Sequence, residues 1–418
     1  MSDASAAGVV VVGGGQAGVQ VADSIRAADA DMPITVITDE VAFPYQRPPL
    51  SKSLLEEDLG QACLPLRPIG FFRDRRITLL GGVRVTAVDR DARTVGLDSG
   101  QEIPYEALVL ATGARAREIS APGTRLDGVH TLRTLDQGTS LQATLRRASR
   151  VVVVGGGFIG LEVAGAAVRH GLSVTVLEAA PRVLERAVTP QASEWLTDFH
   201  LRCGVDVRLR TGLARMSGNR GRVSGVVTTR GQEIPCDAVL VGVGATPNVE
   251  LAERAGLAVD NGIVVDASLR TGDPSIWAVG DCARFPCVHS GSPTRLESVQ
   301  NATDQARCVA ANVVSAVRGG GGEGSPYDSV PWFWSHQGSA KLQIAGVGDA
   351  ADADVVVRRH HDSKMSFLCF EDGELTIVES INAPADHMAA RSLLARRVRV
   401  TPEAAADVGV PLKSLLPS

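Results

Sequence analysis

A chain of 418 residues exceeds what one ordinary core organises, so two or three domains are expected. With 44% hydrophobic and 21% charged residues it has the composition of a globular protein, which excludes disordered and collagenous classes. A net charge of −5 excludes the global basic field of a nucleic-acid binder. The start, Met1-Ser2-Asp3-Ala4-Ser5-Ala6-Ala7, lacks the basic region of a signal peptide. The one long apolar stretch, 151–168, is interrupted by Glu162 and several glycines, so a strand, a turn and a helix explain it better than a membrane span. A cytoplasmic protein that binds neither nucleic acid nor membrane is expected.

Seven cysteines, Cys63, Cys203, Cys236, Cys282, Cys287, Cys308 and Cys369, follow no framework spacing, which suits a reducing compartment. Cys282 and Cys287 could form a redox pair, but a packing role for Cys282 is preferred because it sits inside a Gly-Asp-Cys-Ala motif. No Cys/His cluster has metal-ligand spacing, and no metal is expected. Arginine dominates the basic residues; the lysines are Lys52, Lys341, Lys364 and Lys413.

In chain order, the first element is a β-branched run at 8–12, followed by Gly13-Gly14-Gly15-Gln16-Ala17-Gly18 and an alanine-rich amphipathic helix. A second strand at 34–37 ends just before Asp39. The pattern returns at 150–154, with Gly155-Gly156-Gly157-Phe158-Ile159-Gly160, a helix, a strand at 172–177 and Glu178. Both copies fit the G-x-G-x-x-G fingerprint of a dinucleotide site. The first glycine makes the turn, the second admits a pyrophosphate, and the third lets helix and strand pack. Free N–H groups at the helix start then face the phosphates, and a distal carboxylate, here Asp39 or Glu178, can accept the ribose hydroxyls. Glu178 would repel the 2′-phosphate of NADPH and favour NADH, although Arg182 and Arg186 lie close enough in sequence to offset it.

Two such folds could hold two nicotinamides, or one flavin and one nicotinamide. A strand at 275–279 leads into Gly280-Asp281-Cys282-Ala283, which resembles the second FAD-contact motif of the two-dinucleotide-binding flavoproteins and decides for the latter. Strands at 107–110, before Ala111-Thr112-Gly113, and at 238–243, before Gly244-Ala245-Thr246-Pro247-Asn248, look like that family's crossings between FAD and NAD domains. A helix is predicted at 298–317 and a glycine-rich linker at 319–325. Beyond them Trp332-Phe333-Trp334 opens alternating segments at 341–344, 354–358 and 374–378, then a helix at 384–394. The expected fold class is α/β: two Rossmann-like, glutathione-reductase-like dinucleotide-binding domains plus a C-terminal α+β domain. The expected limits are 1–112 with 246–318 for FAD, 113–245 for NAD and 326–418 for the C-terminal domain.

The segment Pro44-Tyr45-Gln46-Arg47-Pro48-Pro49-Leu50-Ser51-Lys52 has no cysteine where many of these flavoproteins carry a redox disulfide. Together with Ile159-Gly160-Leu161-Glu162, Arg182-Val183-Leu184-Glu185-Arg186, Asp260-Asn261-Gly262-Ile263-Val264-Val265 and Pro331-Trp332-Phe333-Trp334-Ser335, it resembles the ferredoxin and rubredoxin reductases of bacterial oxygenase systems, the putidaredoxin-reductase-like family. That resemblance covers nearly the full length. It implies that NADH delivers a hydride to FAD N5, and that single electrons pass to a two-iron ferredoxin serving a haem-thiolate monooxygenase or an aromatic dioxygenase. It implies an FAD site of Gly13, Gly15, Gln16, Ala17, Gly18, Asp39, Arg47, Lys52, Ala111, Thr112, Gly113, Gly280, Asp281, Glu297, Ser298, Val299 and Trp334. The NAD site would use Gly155, Gly157, Phe158, Ile159, Gly160, Glu178 and Gly244. Lys52 paired with Glu162 would sit beside N5, and Trp334 would wall the flavin, while Trp332 and Phe333 pack in the core; these make Lys52, Glu162 and Trp334 the catalytic candidates. His336 and Gln300 depart from the residues relatives often carry there. Arg73, Arg75, Arg76 and Arg307 are candidates for docking an acidic carrier, with a solvated face the preferred reading of each, and a monomer is expected. Rubredoxin, nitrite-reductase modules, monodehydroascorbate or oxygen remain alternative acceptors, and an NADH-sensing flavoprotein scaffold with slow turnover is the alternative class.

Overall fold

A computed structural model describes residues 7–56, 64–320, 324–350 and 353–417. Cys63 and residues 321–323 of the expected linker lie outside the described residues. The chain forms two compact units, one drawn from 7–46, 64–115 and 246–329 and the other from 47–56, 116–245 and 330–417.

The first unit is built on a sheet in which Thr78–Gly81, Ile34–Thr38, Gly8–Val12 and Glu102–Leu110 run parallel in that spatial order. Ile276–Ala278 adds a further parallel strand beside the second half of Glu102–Leu110. The first half of that strand instead closes an antiparallel meander with Thr94–Leu97 and Val85–Asp89. The fingerprint strand Gly8–Val12 is buried at every position, as a strand covered on both faces must be. This explains why it reads as an unbroken apolar run.

The second unit repeats the theme. Asp206–Arg208, Ser173–Leu177, Arg150–Val154, Ala238–Val241 and Val129–His130 form a parallel sheet in that order. A small antiparallel sheet, Leu213–Asn219, Arg222–Thr228 and Glu233–Pro235, packs its apolar side onto it through Met216, Val226 and Ile234. The C-terminal region is a five-stranded antiparallel sheet ordered Trp332–Gln337, Ala340–Gly346, Glu374–Ile381, Lys364–Glu371 and Asp354–His361. It has two more strands than the three alternating segments predicted. Lys364–Glu371 carries Met365, Phe367, Leu368, Cys369 and Phe370 and is buried on both faces, so it shows no alternation to read.

Those two faces have different partners. Leu342, Met365, Phe367 and Ile381 pack with Leu161 of the second fingerprint helix, Phe158–Arg169, and with Ala192 and Leu196 of the helix Pro190–Arg202. Leu368, Phe370 and Val378 pack with Ala389, Ala390 and Leu393 of the helix Pro384–Ala395. Buried Arg358 ties down the chain end by donating to the carbonyls of Ala405, Asp407 and Val410.

One buried carboxylate joins sheet to helix. Glu379 accepts from the backbone N–H and the hydroxyl of Thr189, each at 2.7 Å, while the Thr189 hydroxyl caps the helix Pro190–Arg202 by accepting from Ala192. Burial pushes the Glu379 carboxyl up to about 7, against the opposing pull of the two Thr189 bonds. Its folded value therefore lies above its unfolded one. The folded state holds a proton that the unfolded state has released, so stability falls as pH rises from about 5 to 7. Glu379→Gln should flatten that decline. The check is the melting temperature of wild type and variant across this range, and parallel curves would contradict the assignment.

Candidate functional site

In the first unit, the turn after Gly8–Val12 and the motif at Gly280 meet. Gly13 adopts φ +124°, and a Cβ on Gly18 would fall 1.9 Å from the Gly13 carbonyl, so neither position accepts a side chain. A Cβ on Gly15, by contrast, would meet nothing within 4 Å. Gly15 is also the N-cap of the helix Gln16–Ala28, and no side chain among the described residues caps that helix. The turn thus leaves an open space in front of unsatisfied N–H groups, which fits a dinucleotide pyrophosphate. Gly280 packs against Ala17, and its N–H donates to Gln305 Oε1 at 2.7 Å. Gln16 donates to Thr303 at 3.0 Å, locking the turn to the helix Val299–Val317. Ser298 caps that helix by accepting from Asn301, and Glu297 pairs with Arg295, which also donates to the Asp281 carbonyl. Thr112 and Asn248 exchange hydrogen bonds, fixing the Ala111-Thr112-Gly113 crossing.

Strand register identifies a difference between the two copies. Val12 pairs with Ile37, and Val154 pairs with Leu177, so the counterpart of Glu178 is Thr38. Asp39 lies one residue further on, where it pairs with Arg84 at 3.0 Å.

In the second unit, Gly157 caps the helix Phe158–Arg169 without a side-chain acceptor, as Gly15 does in the first. Glu178 takes the position facing this turn. One of its oxygens accepts from Gly156 N–H at 2.7 Å and the other from Ala180 N–H at 2.8 Å. Arg182, close enough in sequence to offset it, donates to the carbonyls of Val188 and Glu185 within its own loop. Ile159, on the first turn of the helix, is 39% exposed, and Gly244 adopts φ +112° with open space beside it.

One turn into the helix Phe158–Arg169, Glu162 is 3% exposed and is the focus of a polar cluster. Lys52 donates to it at 2.7 Å, Ser335 donates to its other oxygen at 2.7 Å, and the Ser51 hydroxyl completes the set at 2.5 Å. Lys52 reaches it from a short turn, Pro48–Ser51, whose consecutive prolines bend the chain. Arg47, at the start of that turn, donates to the Arg133 carbonyl. Sequence reasoning found Lys52 and Glu162 but missed Ser51 and Ser335. Serines carry no pattern of their own, and their only signal was adjacency to Lys52 and Trp334.

Along the strand Trp332–Gln337, Phe333 touches Phe158 and Ser335 bonds Glu162, while the rings of Trp332 and Trp334 meet at 5.4 Å in a tilted arrangement on the opposite face. Trp334 is therefore not beside Glu162 on that strand. Trp332 lies under the Arg391 guanidinium, which is 4.3 Å from its ring centre. Partial desolvation, with the charges of Lys52 and Lys341, holds His336 below the ordinary histidine range. Gln300 donates to Asp304. Cys282 and Cys287 are buried free thiols, and Cys282 donates to the carbonyls of Leu110 and Val279, a packing role. The arginines proposed for docking have partners of their own: Arg73 pairs with Asp74, Arg75 with Asp23, Arg76 with Asp31 and Arg307 with Asp304. No helix among the described residues is long and apolar enough to cross a membrane.

A family model described as pyridine nucleotide-disulphide oxidoreductase matches residues 7–306. The chain belongs to that family. A second model, described as reductase C-terminal, matches residues 332–416. Among members of this oxidoreductase family, rhodocoxin reductase of Rhodococcus erythropolis is 48% identical over 405 residues, 97% of this chain and 93% of that protein. The crystal structure of the ferredoxin reductase for the CYP199A2 system of Rhodopseudomonas palustris is 46% identical and superposes with a TM-score of 0.92, covering 97% of this chain and 98% of that one. The covalent putidaredoxin reductase–putidaredoxin complex follows at 37% identity and a TM-score of 0.91, covering 97% of each chain. In this oxidoreductase the segment 44–52 holds no cysteine, and Lys52 stands there with its ammonium on Glu162.

The arrangement around Glu178 has a direct consequence. Glu178→Lys removes the acceptor of two backbone N–H groups and reverses the charge facing the glycine turn. It should lower kcat/KM for NADH and raise the NADPH-to-NADH ratio of kcat/KM by roughly tenfold or more. An unchanged ratio would separate Glu178 from nucleotide choice.

Proposed function

We propose that this chain is an NADH-dependent, FAD-containing reductase of a two-iron ferredoxin, acting in the cytoplasm as the first member of an oxygenase electron-transfer chain. Full-length likeness to reductases of such systems supports the reading. The observation that carries the chemistry is the pairing of Glu162 with Lys52, which lies in a segment without cysteine. With no thiol pair there, electrons have no dithiol to visit between nicotinamide and acceptor.

FAD is assigned to residues 1–112 and 246–318, with its pyrophosphate at Gly13, Gly15, Gln16, Ala17 and Gly18 and its remainder toward Ala111, Thr112, Gly113, Gly280, Asp281, Glu297, Ser298 and Val299. Asp39, Arg47, Lys52 and Trp334 complete the proposed contacts. NADH is assigned to 113–245, at Gly155, Gly157, Phe158, Ile159, Gly160, Glu178 and Gly244, and 326–418 is the C-terminal domain. Bound FAD supplies the acceptor for a nicotinamide hydride and the conversion of that electron pair into single electrons. The protein's part is to orient the two nucleotides on their helix N-termini and to hold positive charge at Lys52 where negative charge gathers during transfer. Glu162 restrains that lysine. The acceptor would be an acidic two-iron ferredoxin feeding a haem-thiolate monooxygenase or a dioxygenase.

Anaerobic mixing of the yellow protein with NADH, followed by an oxidised two-iron ferredoxin, tests this directly. Rapid loss of flavin absorbance and then reduction of the ferredoxin are expected. Flavin bleaching that persists with every ferredoxin tried would favour another acceptor or a sensing role, and a protein without flavin would end the proposal. Lys52→Ala should retain FAD yet lose flavin absorbance at least roughly tenfold more slowly on mixing with NADH. Stopped-flow absorbance measures it, and an unchanged rate would make the ion pair purely structural.

A further inference from the structure

The Glu162 cluster does not end at Ser335. Gln337 Nε2 lies 3.3 Å from Ser335 Oγ, and His200 Nε2 lies 2.9 Å from Gln337 Oε1. Ser335, Gln337 and His200 are all completely buried. The donor directions follow from the groups themselves. The Gln337 amide oxygen can only accept, so His200 Nε2 carries a proton and donates. The Gln337 amide nitrogen can only donate, so Ser335 Oγ accepts from it and spends its own proton on Glu162 Oε1. Burial holds His200 below the ordinary histidine range, and Nδ1 is buried with no hydrogen-bond partner among the described residues. Every link therefore points the same way, from His200 on the helix Pro190–Arg202 through the strand Trp332–Gln337 to the carboxylate that grips Lys52.

We propose that Ser335, backed by Gln337 and His200, is a positioning residue for the hydride step: it fixes the Glu162 carboxylate so that Lys52 is held in a single place. A carboxylate free to rotate about its last torsion would offer Lys52 several positions; the Ser335 and Ser51 hydroxyls, one on each oxygen, remove that freedom. The cluster polarises in one direction, which strengthens each bond in a dry interior. The inference rests on the reductase reading for its role in turnover, but its structural content does not.

The chain has only four lysines, which makes each readable by mass spectrometry. The FAD-bound protein is labelled with an amine-acylating reagent, and Lys52 is compared with Lys341, Lys364 and Lys413. Ser335→Ala should raise the Lys52 labelling rate several-fold while the other three stay unchanged. It should also slow the NADH-driven loss of flavin absorbance about tenfold, the loss of one hydrogen bond to a charged group. Ser335→Thr, which keeps the hydroxyl, should restore both. Combined with Glu162→Gln, Ser335→Ala should add little, because it acts through Glu162. An unchanged Lys52 rate, equal gains at all four lysines, or the same slowing in both backgrounds would overturn the proposal. Labelling uses neither NADH nor ferredoxin, so a Lys52 response in a protein that reduces no ferredoxin would overturn the reductase reading and leave this one standing.

Discussion

A carboxylate at 3% exposure in the middle of a helix is an expensive group, costing several kcal/mol unless its charge is matched and its lone pairs are filled. Glu162 meets that condition only because two other pieces of chain converge on its helix: the turn carrying Ser51 and Lys52, and the strand carrying Ser335. The cluster therefore makes the packing of the C-terminal sheet against the second fingerprint helix a precondition of the polar site. The same helix begins at the uncapped Gly157. One helix thus carries an N-terminus without a side-chain cap and, a turn later, a fixed charge pair.

The two fingerprint turns are alike in backbone. In both, the third glycine lies against the carbonyl of the first, with hypothetical Cβ contacts of 1.9 and 2.1 Å. That shared constraint is steric and explains why both copies read so clearly. The end of the following strand is where they part, with Thr38 in one and Glu178 in the other. Glu178 is held by two backbone N–H groups, and Arg182 is occupied by carbonyls of its own loop, so the acidic character of the second turn is not offset by that arginine.

Charge elsewhere is largely balanced close to home. The pairing of Arg73, Arg75, Arg76 and Arg307 with neighbouring aspartates leaves them as solvated ion pairs, each of small energetic weight. Membership of a family named for disulphide chemistry does not bring the disulphide, since segment 44–52 has none.

Much of the molecule was legible in the linear chain. The two glycine turns, the helix capped by Ser298, the helix Pro384–Ala395 and the alternating strands of the C-terminal sheet depend on backbone sterics and local periodicity, which neighbours in sequence express. The pairing of Lys52 with Glu162 was reached through resemblance, because 110 residues separate them and no local rule joins them. Ser335, 173 residues from Glu162, and the His200–Gln337 link behind it had no sequence signature at all. The displacement of Asp39 from the Glu178 position was hidden for a related reason, since register is a property of paired strands. Sequence by itself determined where the chain turns and what kind of nucleotide fold each turn opens. Only the tertiary structure decided which buried polar groups meet, because hydrogen-bond satisfaction in a dry interior is settled between distant segments.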